Sequence, residues 1–298
     1  MMESIDRIIF GDNQFFGINH MSQEKAQQLA EKFYNINNIY TIYDQAFSTG
    51  IKAVMLNSND RASQICTHFR LHPEKYGHIN WYPSIPYPHK YANMVSELGL
   101  ISTLKNVLVK DNSTKSAFSM MAQGGGALFT KDLTRMIHLL VDVEMKMFSG
   151  LNVKTVFLQN IITDLILGFG LKELFVGYCN HVRNKYNALP GFITQNLPYL
   201  KSKLEDWKIE EVVLCSSFNK IGYLMSPNIQ EYEDLVENND RSKYQLMGMS
   251  TLASGAIPVK EAYDYIGQQN LQSVVFGAST KNHIEETVAL IKKNRKHE

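Results

Sequence analysis

The run GDNQ, residues 11–14, sets Asp12, Asn13 and Gln14 directly behind the apolar stretch RIIF. One carboxylate and two carboxamides at a strand end can exchange a proton and hydrogen-bond a polar ligand. Seven further apolar runs end in the same kind of residue. Asn57, Asn59 and Asp60 follow the second, and Ser84, Tyr87 and His89 the third. Gln159 and Asn160 follow the fourth, Thr194, Gln195 and Asn196 the fifth, and Ser216, Ser217, Asn219 and Lys220 the sixth. Ser250, Thr251 and Ser254 follow the seventh, and Ala278, Ser279 and Thr280 the eighth. So many neutral donors and acceptors suit a sugar, a phosphate ester or a cofactor.

Proton carriers are few. Asp12, Asp60 and His89 are the acid/base candidates, with Lys220 behind them and Tyr87 as a further proton donor. A carboxylate among neutral amides is tuned upward by desolvation into a useful acid or base. The competing use is structural: Asp12 would order its own loop, and Asp60 would cap a helix beginning near Arg61. Asn13, Gln14, Asn57, Gln159, Asn160, Gln195 and Ser250 are the candidate substrate contacts. No metal constellation stands out, because the nine histidines are dispersed and Pro73 interrupts the pair His68 and His72. Cys66, Cys179 and Cys215 form no CxxC pair; Cys215 stands at a strand end, but no local base marks it as a nucleophile, and a buried thiol is the expected role.

The eight runs are RIIFG, KAVML, INWYP, TVFLQ, GFITQ, VVLCS, QLMGM and SVVFG. Between them lie amphipathic segments such as SQEKAQQLAEKFY, KDLTRMIHLLVDVEMKMF, YLKSKLEDW, KEAYDYI and KNHIEETVALIKK. That alternation predicts an α/β chain folded as one (β/α)8 TIM barrel over residues 1–298, with an irregular insertion at about 105–130. Chemistry in such barrels sits at the carboxyl ends of the strands, where the polar residues above converge. An open doubly wound sheet would announce its nucleotide site with GxGxxG or GxxxxGK[ST], and neither is present. The triple glycine at 124–126 reads as a hinge before a helix that Thr130 could cap. The segment IITDLILGFGLKELFVGY carries Asp164, Lys172 and Glu173, too many charges for a membrane span, and reads as a buried helix.

The 30 basic and 29 acidic side chains leave a net charge of +1, so no field draws in nucleic acid or an anionic membrane. With 44% hydrophobic and 20% charged residues the chain is globular. The start, MMESIDRIIFGDNQ, lacks a signal-peptide core, which together with the scattered cysteines points to the cytoplasm. The expected partner is a small molecule; the sequence gives no oligomeric state.

The last two runs, YQLMGMSTLASGAIPVKEAYDYIGQQNLQSVVFGASTKNHIEETVALI, resemble the carboxyl end of an aldo-keto reductase. The likeness extends more faintly to AFSTGIKAVMLNSNDRASQIC and GFITQN. It implies an NADP-dependent oxidoreductase of a small carbonyl or sugar-like substrate. Gly277, Ala278, Ser279, Thr280 and Lys281 would hold a phosphate of the cofactor. His283 and Glu286 would lie against the adenine, with Thr287 where the family usually has Asn. The physics supports the first assignment, since small residues ahead of a helix N-terminus let amides approach an anion. The family's tetrad departs: its Asp falls on Met55, its Tyr on Asp60, its Lys near Ser84 and its His on Asn160. Three readings therefore stand: a divergent NADP-dependent oxidoreductase with Asp60 or Tyr87 as proton donor; a non-redox lyase or isomerase of a sugar or phosphorylated metabolite using Asp12, Asp60 or His89; and a ligand-binding barrel without catalysis.

Overall fold

The computed structural model describes residues 2–16, 23–87 and 125–293. Its strands are β1 (Ile8–Phe10), β2 (Ala53–Asn57), β3 (Asn80–Ile85), β4 (Asn152–Val153), β5 (Thr155–Leu158), β6 (Leu189–Thr194), β7 (Val212–Ser217), β8 (Tyr244–Met249) and β9 (Ser273–Phe276). All neighbours pair in parallel in the order β2-β1-β9-β8-β7-β6-β5-β3, and β2 pairs with β3 to close the ring. The result is an eight-stranded TIM barrel. The ninth strand, β4, just precedes the fourth sequence run and is set off from it by a bulge. Asn80 pairs with Asn152 and Trp81 with Val153, whereas Ser84 pairs with Phe157, so one extra residue, Lys154, is accommodated between them.

The strands read as continuous apolar runs because both faces are buried. Alternate residues split cleanly between two cores. Phe10, Val54, Leu56, Trp81, Val156 and Leu214 point outward, into the layer between sheet and helices. Ile9, Met55, Tyr82, Phe157, Cys215 and Met247 point inward and fill the barrel. Gly191 belongs to the inward set: a Cβ there would lie 2.5 Å from the Phe157 ring, so its bare Cα is what lets that ring occupy the lumen. The opposite end is plugged by the N-terminal segment. Ile5 joins the inner core, its amide donates to Gln245 Oε1 at 2.8 Å, and Asp6 accepts from Tyr82 Oη at 2.6 Å and Asn80 Nδ2 at 2.8 Å.

Helix positions follow the amphipathic segments, with three corrections. The expected irregular insertion lies outside the described residues up to 124, but from Gly125 the chain is helical through Met145, so its last residues are not irregular. Thr130 is therefore inside that helix and not its cap. The stretch expected to form one buried helix is two, Asn160–Gly168 and Lys172–Tyr186, broken where Gly170 adopts φ +64°. Ile161 and Leu165 on the first are exposed. The final helix spans Lys281–Lys293, as its spacing predicts. No helix among the described residues is long and apolar enough to cross a membrane.

Candidate active site at the carboxyl-end mouth

Continuing the inward alternation one step past Met55, Tyr82, Phe157, Ile193, Cys215 and Val275 gives Asn57, Ser84, Gln159, Gln195, Ser217 and Gly277. These residues form the rim layer of the mouth. Met55, where the resemblance would put the reductase Asp, fills the lumen, and the first β2 side chain at the mouth is Asn57, two residues on.

Asp12, just past β1, joins this layer through Asn57 and is 2% exposed. Its Oδ2 accepts from the Asn57 backbone N–H at 2.9 Å and its Oδ1 from Asn57 Nδ2 at 2.7 Å. Burial pushes its pKa up from 3.8 to about 6, against the opposing pull of the Asn57 hydrogen bonds. A carboxyl group so placed titrates just below neutrality. Asn57 Oδ1 in turn accepts from Gln159 Nε2 at 2.7 Å, and the same Nε2 lies 3.3 Å from the Ser84 carbonyl. The ends of four strands, β1, β2, β3 and β5, are thereby tied together at the mouth by one carboxylate and two carboxamides.

Tyr87 enters from the loop after β3, its backbone N–H held by Ser58 Oγ at 3.1 Å. Burial, then the charges of Asp12 and Asp60, raise its phenol pKa above the ordinary value, so the group stays protonated. Both carboxylates thus lie within electrostatic reach of one half-buried phenol. Tyr43, from the helix Ile36–Ser48, is the residue that sequence reasoning missed: it is buried, its hydroxyl has no partner among the described residues, and burial together with the Asp12 charge holds its pKa well above the ordinary tyrosine value. Nothing in the sequence separates it from the other apolar-face residues of its helix.

Other expected residues are dispersed around the rim. Asp60 is exposed, and the Arg61 backbone N–H donates to Asn59 Oδ1 at 3.0 Å, so Asn59 and not Asp60 orders the start of that helix. Asn13 is exposed in a 3-10 turn, and Asn160 begins the helix after β5. Gln195 is exposed and anchored through its backbone, whose N–H donates to Asp164 Oδ2 at 3.0 Å. Lys220 pairs with Glu261 at 2.7 Å on the outer surface and is drawn away from the mouth. His89 lies outside the described residues. Cys215 is fully buried in the lumen, and burial pushes its thiol far up, which fits the structural role. Among the described residues no group of His, Cys, Asp or Glu could hold a metal ion.

The two small-residue turns flank the mouth. After β8, Ser250, Ala253 and Ser254 all take positive φ, between 46° and 57°, and Gly255 takes 92°. Left-handed non-glycine residues cost energy and gather where backbone amides are aimed at something. Asn219 Nδ2 donates to the Tyr223 carbonyl at 2.9 Å and lies 3.4 Å from that of Ser250, tying this turn to the loop after β7. After β9, Thr280 caps the last helix, its Oγ1 accepting from His283 N at 3.4 Å. The amides of Lys281 and Asn282 precede the first intrahelical bond. Lys32 donates to the Ser279 carbonyl at 2.6 Å, a cation brought to this turn from 247 residues away. His283 and Glu286 are exposed on the helix, whereas Thr287 is buried on its inner face.

An anion fits this turn at Ala278–Lys281, beside Lys32. It does not fit against Gly277, where Gln14 already lies. A Cβ on Gly277 would sit 2.1 Å from Gln14 Oε1, an atom that is buried and has no donor among the described residues. Gln14 is held in that position by its Nε2, which donates to the Gly11 carbonyl at 2.8 Å.

No protein-family model matches the sequence, and no curated protein does. Solved structures do. Two structures of a candidate aldo-keto reductase of Pseudomonas aeruginosa match with TM-scores of 0.55 and 0.56 at 10% and 11% identity; each match covers 97% of this chain, and 91% and 90% of theirs. A protein described as a candidate 2,5-diketo-D-gluconic acid reductase B matches with a TM-score of 0.54 at 13% identity, over 98% of this chain and 86% of that one. At such identities the likeness is one of fold: the chain shares the (β/α)8 barrel of these structures.

Proposed function

We propose that this barrel is an oxidoreductase of the aldo-keto-reductase type that takes NADP along the turns after β8 and β9 and reduces a small uncharged carbonyl compound at the mouth. The observation that carries the reading is a protonated phenol, Tyr87, within electrostatic reach of a buried carboxyl group with a pKa of about 6, Asp12, at a rim of neutral amides and hydroxyls. The dihydronicotinamide, when bound, supplies the hydride. Tyr87 donates the proton that the carbonyl oxygen needs as it becomes an alkoxide, a base far stronger than a phenolate even when the phenol is held above its ordinary range. Asp12 holds the rim amides in place. Ala278–Lys281, the start of the last helix and Lys32 hold the phosphate; His283 and Glu286 lie further along the same helix, at the adenine end.

A lyase or isomerase on the same barrel is the second reading. It is favoured by the departures at Met55, Asp60, Ser84 and Asn160, and its acid/base group would be Asp12. Replacing one phenol separates the two. Under the redox reading, Tyr87→Phe lowers kcat for NADPH-dependent aldehyde reduction about 100-fold or more and leaves NADPH binding within about twofold. Unchanged reduction by Tyr87→Phe removes the phenol from the mechanism, and absence of any NADPH-dependent turnover by the unaltered protein leaves the second reading.

A further inference from the structure

An ionised carboxylate only accepts hydrogen bonds, and this fixes the direction of every amide behind it. Asn57 must turn its Nδ2 to Asp12, as the 2.7 Å contact with Oδ1 shows, and so its Oδ1 faces Gln159. Gln159 must answer with Nε2, whose second proton points to the Ser84 carbonyl. Both of its donors are therefore committed inward. Gln159 Oε1 remains, with no donor among the described residues, on an inward-facing rim residue that is 8% exposed.

We propose that Asp12 is a positioning residue that sets the polarity of the mouth: through Asn57 it holds Gln159 with its carbonyl oxygen toward the ligand, so that the site accepts a hydroxyl or N–H and rejects a carboxylate. This deepens the function proposed above, since it concerns the same mouth. The rejection has two sources. A ligand carboxylate would meet an acceptor in Gln159, and it would meet the charges of Asp12 and Asp60, whose field already reaches Tyr87. Among the described residues the rim layer holds no Lys or Arg to offset them.

The proposal makes an unusual demand on the variant Asp12→Asn. Its one remaining carbonyl oxygen stays with the Asn57 backbone N–H, and its new NH2 faces the Asn57 side chain. Asn57 must then flip to present Oδ1. Its Nδ2 now faces Gln159, which flips in turn: it gives up the 3.3 Å contact with the Ser84 carbonyl, accepts from Asn57 and turns its own NH2 into the mouth. A change of one atom type, two residues away, reverses the group the ligand meets.

The test uses the full chain and two readouts that need no turnover. Side-chain amide hydrogen exchange of Gln159, followed by NMR, is slow in the unaltered protein and at least about tenfold faster in Asp12→Asn. Binding is measured by NMR titration with glycolaldehyde and glyoxylate, a pair of similar size in which a hydroxyl-bearing carbon is replaced by a carboxylate. The unaltered protein binds glycolaldehyde at least about tenfold more tightly, and Asp12→Asn narrows or reverses that ratio. Equal Gln159 exchange in the two proteins overturns the relay. Glyoxylate binding as tight as glycolaldehyde in the unaltered protein, or binding of neither, overturns the assigned polarity of the site. Failure of NADPH-dependent turnover with both of these results intact would instead count against the redox reading alone.

Discussion

Asp12 concentrates the residue-scale energetics because its folded-state pKa is raised from 3.8 to about 6. A raised value means the folded protein holds this proton more tightly than the unfolded chain. Its contribution to stability is therefore fully present below about pH 4 and is lost as pH rises through about 6. A shift of that size corresponds to about 3 kcal/mol. Asp12→Asn has no such titration, so the stability of the unaltered protein relative to the variant should fall by roughly this amount between pH 4 and 7 in urea melts. A constant difference would mean Asp12 is not desolvated. Tyr43 gives a prediction of opposite sign. Its hydroxyl is buried without a partner, so Tyr43→Phe should leave thermal stability unchanged or raise it by about 1 kcal/mol; a loss above about 1 kcal/mol would reveal a partner for that hydroxyl. The sequence singled out Asp12, Asn57 and Gln159 separately, because each ends a strand. It did not join them, since the contacts span 45 and 102 residues and depend on strand register.

Among the elements, the strands were legible because burial on both faces leaves continuous apolar runs, and their boundaries shifted by no more than about two residues. The break at Gly170 was not, because an apolar run looks the same whether one helix or two bury it. Two glycines serve close packing here. Gly191 makes room for the Phe157 ring, and Gly191→Ala should destabilise by about 1–3 kcal/mol through overpacking of the lumen. Thermal melting with no change would show that the ring can move aside. Gly277 makes room for the Gln14 carboxamide, which is why the proposed phosphate site begins at Ala278 and not at Gly277.

For the molecule as a whole, the alternation of apolar runs and amphipathic segments was enough to specify a closed barrel, since eight such units leave few other ways to cover every strand. What the sequence could not show was that the chain's first residues plug the floor: Ile5 contacts a core assembled from residues up to Val275. Ile5→Ala should therefore cost about 2–4 kcal/mol, as for a central core residue, although it lies in no helix or strand. The same global closure brings Lys32, from the first helix, to the turn before the last.

The central claim, that this mouth receives a nicotinamide cofactor, is tested most directly by calorimetric titration of NADPH into the unaltered protein. Saturable binding of one molecule per chain in the micromolar range, about −8 kcal/mol, is the predicted result, weakened about fivefold or more in Lys32→Ala. No saturable binding up to about 1 mM would contradict it.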